Sequence, residues 1–90
     1  MIPLDTPAGT AIYIVDEIEG LLYVKTDVCR GITHDLVRVE EDGRGNGEFC
    51  HIGDCFLDKQ QAGRYALSIA IERVREAMLV VDSLIDYLKE

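Results

Sequence analysis

No run of apolar residues approaches the ~18–20 needed to span a bilayer, so neither a transmembrane helix nor a membrane partner is expected. The N-terminus, MIPLDTPAGT, lacks the basic stretch and apolar segment of a secretory signal. The expected compartment is the cytoplasm, where three cysteines stand as reduced thiols or metal ligands. Basic residues are scarce: nine Lys and Arg face seventeen Asp and Glu, for a formal net charge of −8. That balance disfavours direct nucleic-acid binding, because docking on a phosphate backbone needs a positive surface to displace counterions.

The strong metal and phosphate motifs are missing too. There is no CxxC, no DxDxDG calcium loop, and no glycine loop followed by Lys-Ser/Thr. Gly43, Gly45 and Gly47 lie between two expected strands and among acids, which reads as a hairpin turn. Cys29, His34, Cys50, His51 and Cys55 are numerous enough for a zinc site, but their spacing is poor. Cys50 and His51 are neighbours, which a strand points to opposite faces. Cys55 is the remaining nucleophile candidate, approaching His34 or His51 in space, and an acidic setting would oppose its thiolate. No catalytic residue, metal ligand or cofactor is assigned, and the chain is expected to be no enzyme.

What is present is unevenly distributed charge. Residues 1–58 hold four basic residues against twelve acids, and residues 59–90 hold five of each, so the net −8 lies outside the C-terminal third. Asp16, Glu17 and Glu19 form one acidic group; Glu40, Glu41, Asp42 and Glu48 form another at the 41–47 turn. Such a field favours a protein partner with a basic surface, including another protein's nucleic-acid groove. The plainer alternative is that these acids only solubilise the surface.

Ninety residues make one domain, 1–90, with 1–57 read as a β-sheet part and 58–90 as a C-terminal helix. Residues 1–10, carrying Pro3 and Pro7, read as an extended lead-in. AIYIV (11–15) and LLYVK (21–25) read as two strands joined by the five-residue connection DEIEG. ITHDLVRVE (32–40) is the expected third strand, with Val37 and Val39 on one face, and EFCHI (48–52) the fourth. Short connections favour antiparallel neighbours. The expectation is an α+β fold: a small antiparallel sheet of about four strands, curled and SH3-like, its apolar face covered by one long amphipathic helix.

The helix is the clearest element. Leu67, Ile71, Val74, Met78, Val81, Ile85 and Leu88 alternate in steps of four and three, which lays them along one face. Asp58 is the expected N-cap, with Gln61 completing a capping box. A helix of this length runs to roughly 48 Å, against roughly 17 Å for a five-residue strand, so the sheet cannot cover the stripe. A homodimer is therefore expected, with Val74, Met78, Val81, Leu84, Ile85 and Leu88 as the dimerisation face.

The segment GDCFLDKQQAGRYAL, with its Phe-Leu pair and Ala62 in the first helical turn, resembles small phage-type proteins of unknown role. In those, a β-domain ends in a Phe-Leu-Thr-x-x-x-Ala step and runs into a long amphipathic helix; here Asp58 takes the place of the threonine. The resemblance spans residues 47–70 and carries over no catalytic residue. It implies a mobile-element origin and a binding role. Together with the charge, it points to an inhibitor that occupies a basic nucleic-acid-binding surface of a host protein in the host cytoplasm, as anti-CRISPR proteins and DNA mimics do. The contact residues would be Asp16, Glu17, Glu19, Glu40, Glu41, Asp42 and Glu48. The alternative is a structural or regulatory adaptor that binds through the apolar helix face.

Overall fold

A computed structural model describes residues 1–40 and 48–89; the 41–47 turn, including Glu41 and Asp42, and residue 90 lie outside the described residues. The fold is α+β, a five-stranded antiparallel sheet followed by one long helix. The strands are β1 (Ala11–Ile18), β2 (Leu21–Thr33), β3 (Leu36–Val39), β4 (Glu48–His51) and β5 (Cys55–Phe56), and the helix is α1 (Lys59–Lys89). Their order across the sheet is β4-β3-β2-β1-β5, so the last, short strand returns to the edge beside the first.

Tight turns change the expected course of the chain at three places. Asp16, Glu17 and Ile18 belong to β1, and only Glu19 and Gly20 connect it to β2, both at positive φ (52° and 82°). Two positive φ values match the right-handed twist of the flanking strands, which explains why the connection is two residues and not five. The expected strand 32–40 is divided: Thr33 pairs with Leu36 across a second two-residue turn, with His34 at φ 58°. Residues 1–10 are not extended, for Thr6 N–H donates to the Pro3 carbonyl and Thr10 N–H to that of Pro7. These turns fold Ile2 back into the core, where it is fully buried.

β2 is thirteen residues long and serves two partners. Its register slips between Cys29 and Gly31, leaving Arg30 as the extra residue of a bulge. A bulge bends a strand and raises its twist, so the half paired to β1 and the half paired to β3 wrap around one interior. Ile12, Ile14, Cys29, Val37, Val39, Ile52 and Cys55 fill it together with Ile2. Val37 and Val39 point inward while Leu36 and Arg38 point out, as the alternation predicts. A strand beyond the four expected closes the sheet: Cys55 and Phe56 pair with Ile14 and Tyr13, after a 3-10 turn over Ile52–Asp54.

The helix does not cover the inner face of the sheet. It docks through its first turns on the outer side of β1 and β5, where Ala62 packs against Val15 and Phe56 with Tyr13, Leu22, Tyr65 and Ala66 around them. β1 is thus buried on both faces, Ile12 and Ile14 inward and Tyr13 and Val15 toward the helix. LLYV does not repeat this: Leu21 and Val24 are exposed. Asp58 caps the helix, its Oδ1 accepting from Gln60 N–H at 2.9 Å. No back-bond from the Gln61 side chain completes a box among the described residues. Every residue from Ile71 to Lys89 is exposed, and the molecule measures 59 × 23 × 22 Å because α1 runs far past the sheet.

Candidate functional site

The acids do not form one free surface. Asp16 sits in β1 directly across from Tyr23, whose hydroxyl donates to its Oδ2 at 3.1 Å. Lys25, two residues further along β2, reaches Asp16 at 3.3 Å and Glu48 of β4 at 3.5 Å. One partly buried ammonium therefore ties the first strand to the fourth across the open side of the sheet. Glu17 is paired with Arg73 of α1, and Glu40 with Arg30 of the bulge. Of the seven acids assigned to partner binding, Asp16, Glu17, Glu40 and Glu48 are thus already ion-paired within the chain. Glu19 is exposed at the β1–β2 turn, and Glu41 and Asp42 lie outside the described residues.

Between β1 and β4 lies a cleft of about 380 Å³ lined by Ile14, Val15, Asp16, Glu48, Phe49, Cys50, His51 and Asp54. Its protonation states are set locally. The Glu17 backbone N–H on Asp16 holds that carboxyl below its usual value, helped by Lys25 and opposed by partial burial. Burial opposes the charge on Lys25, but the Asp16 carboxylate outweighs it and raises the ammonium. Burial, then the Asp16 hydrogen bond, raises the Tyr23 phenol; the Asp54 hydrogen bond, at 3.0 Å, raises that of Tyr65.

The cysteines and histidines are accounted for by packing. Cys29 and Cys55 are completely buried in the core and Cys50 packs against it. Burial, with Cys50 and Asp54 nearby, pushes the Cys55 thiol up to about 12, and burial raises Cys50 as well. Thiols so shifted stay protonated at neutral pH and make poor nucleophiles. His51 Nδ1 accepts from Gly53 N–H at 3.0 Å, and its Nε2 lies 3.4 Å from Asp35, so the ring braces the 3-10 turn against the β2–β3 turn. His34 is exposed at the opposite end of that turn. Among the described residues, no three His, Cys, Asp or Glu side chains converge closely enough to hold a metal.

The second candidate is the free length of α1. Val74, Met78, Val81, Leu84, Ile85 and Leu88 are all exposed, as are Leu67 and Ile71. Ala62, Tyr65, Ala66 and Arg73 face the sheet, and at 100° per residue the 67–71–74–78 stripe points well away from them. The stripe is therefore accessible from Leu67 onward, beside the β-domain as well as beyond it. Ile71, Val74, Arg75, Met78, Leu79 and Asp82 line a shallow depression along it. Among the described residues, no helix is long and apolar enough to cross a membrane.

Comparison with known protein families, curated proteins and solved structures finds no match to this chain.

What sequence reading missed at these sites is the basic half of each pair. Lys25, Arg30 and Arg73 are the counterions of the acids it singled out. The signal was there for two of them: once the turn is placed at Glu19–Gly20, Asp16 faces Tyr23 and Lys25 becomes its diagonal neighbour. Arg30 likewise follows from its bulge beside Glu40. Arg73 depends on how the helix docks, which no local pattern encodes.

Proposed function

We propose that this chain is a non-enzymatic interaction protein that associates with a second copy of itself through α1, each copy presenting an acidic β-domain. The carrying observation is the continuous exposed apolar stripe from Leu67 to Leu88 on a helix that docks on its own sheet only through its opposite face. So large an apolar strip on one molecule is characteristic of an interface. In the curled, SH3-like reading of the sheet, the β-domain closes its own interior, and the helix is left free for association. Sedimentation equilibrium tests this: a dimer is the expected species, and a monomer at all accessible concentrations refutes it.

A second reading keeps the acidic decoy, a phage-type, anti-CRISPR-like inhibitor of a basic nucleic-acid-binding surface in the host cytoplasm. The location of all net charge outside α1 favours it. The internal pairing of Asp16, Glu17, Glu40 and Glu48 weighs against it, because each must exchange a partner already in place. Reversing Glu40, Glu41 and Asp42 to Lys separates the two readings. Loss of a salt-sensitive basic partner without loss of the dimer supports the decoy; retention of that partner refutes it.

A further inference from the structure

The free helix carries more than an apolar stripe. Written as a heptad, Ile71, Met78 and Ile85 take a positions, and Leu67, Val74, Val81 and Leu88 take d positions. The e positions beside them are Ser68, Arg75, Asp82 and Lys89, and the g positions are Ala70, Ala77 and Leu84. Arg75 and Asp82 both rim the shallow depression over Ile71, Val74 and Met78, so their charges stand at the edge of the stripe. Arg75 is bonded to Glu72 of its own helix at 3.0 Å in an exposed pair, which holds it weakly.

We propose that two copies of α1 pack antiparallel about a two-fold axis near residues 79 and 80, in a register fixed by Arg75 of each copy against Asp82 of the other. The proposal rests on the association reading above and adds its geometry. In that register Met78 meets Val81 of the second copy, Val74 meets Ile85, and Ile71 meets Leu88, so the stripe is matched from Ile71 to Leu88 and only Leu67 lies past the end of the pairing. On the opposite flank Ala77 meets Leu84, a small side chain against a large one.

The competing arrangements fail on charge. Shifting the antiparallel register by one heptad either way places Arg75 against Arg75, or Asp82 against Asp82, and like charges across an interface are strongly disfavoured. In a parallel pair each e position faces a g position of the other helix, here Ala70, Ala77 or Leu84, so neither Arg75 nor Asp82 finds a partner. A parallel pair also sets two β-domains side by side at one end, each holding the whole net −8 of its chain. The antiparallel pair sends them to opposite ends of the rod, beyond the ~8–10 Å over which charges repel at moderate salt. Each domain lies against residues 62–73 on the far side of its helix and leaves the stripe open to the second copy.

The test is a distance. Ser68 is exposed, and a Ser68→Cys variant in a Cys50→Ser background takes a nitroxide at one place, because Cys29 and Cys55 are fully buried. Sedimentation equilibrium gives the mass, and pulsed EPR gives the separation of the two labels. The antiparallel register predicts a dimer with labels about 35 Å apart along the axis, at about 1.5 Å of rise per residue. A dimer with labels about 10 Å apart, the spacing of packed helix axes, overturns the orientation and leaves the association reading standing. A monomer overturns both, and a tetramer overturns the two-helix arrangement. The register has its own check. Arg75→Asp and Asp82→Arg should each raise the dimer dissociation constant about tenfold or more at low salt, and their equimolar mixture should form the heterodimer in preference. A mixture with no such preference overturns the Arg75–Asp82 contact.

Discussion

Replacing Met78 and Val81 together by Asp strikes the centre of the proposed interface while sparing the β-domain. In the isolated chain these side chains are 61% and 53% exposed, so the substitutions remove almost no internal packing. In the dimer they face each other, and two-fold symmetry places four of them at the centre. Burying one such side chain contributes about 1.5–3 kcal/mol, so the loss reaches about 6–12 kcal/mol before the cost of burying carboxylates is added. A micromolar dimer is held by about 8 kcal/mol, so the variant should be monomeric at any practical concentration. The free end of α1 should then lose helicity, because most helical stability in proteins comes from packing of the apolar face and this end has no other packing. Sedimentation should therefore report the monomer mass, while circular dichroism shows weakened helix signal and an undisturbed sheet. Glu76→Ala, on the face away from the stripe, is the control and should remain dimeric. A double-Asp variant that keeps the parent mass and helicity would refute the assignment of this face.

Three further predictions concern the β-domain. Glu19→Asn should raise stability by about 0.5–1 kcal/mol in chemical denaturation, because Glu19 holds φ 52° beside Gly20 and Asn-Gly suits such a turn better; a loss of stability would contradict the turn assignment. The Cys55 thiol, raised from 9.0 to about 12, contributes stability that is fully present below pH 9 and is lost as pH rises toward 12. Three units correspond to about 4 kcal/mol, so Cys55→Val should flatten the alkaline decline, leaving the parts due to Cys50, Lys25, Tyr23 and Tyr65. Asp16, held below its ordinary 3.8, contributes stability present above that value and lost as pH falls through its lower folded value. Asp16→Asn should therefore reduce the acid-limb slope below about pH 4 in denaturation series, and an unchanged slope would show that Lys25 and the Glu17 amide do not hold the carboxylate.

The sequence alone determined whatever rests on local periodicity. The four-three spacing from Leu67 to Leu88 marks a helix by pattern alone, Asp58 starts it, and Val37 and Val39 alternate inward because a strand has period two. The shortage of basic residues and the −8 outside α1 are equally independent of folding. Tertiary structure decided what depends on residues distant in the chain. Cys55 and Phe56 are too few to read as a strand, and they become one because β1 offers a free edge after the 3-10 turn. Ile2 reads as part of a proline-punctuated lead-in, and two turns return it to the core. The division of 32–40 turns on His34 accepting a positive φ, which propensity disfavours and the pairing of Thr33 with Leu36 enforces. Most consequential are the pairings of Glu17 with Arg73 and of Lys25 with Asp16 and Glu48. Charge can be counted along a chain, but whether a carboxylate is free or already matched is decided only when distant strands and the helix meet.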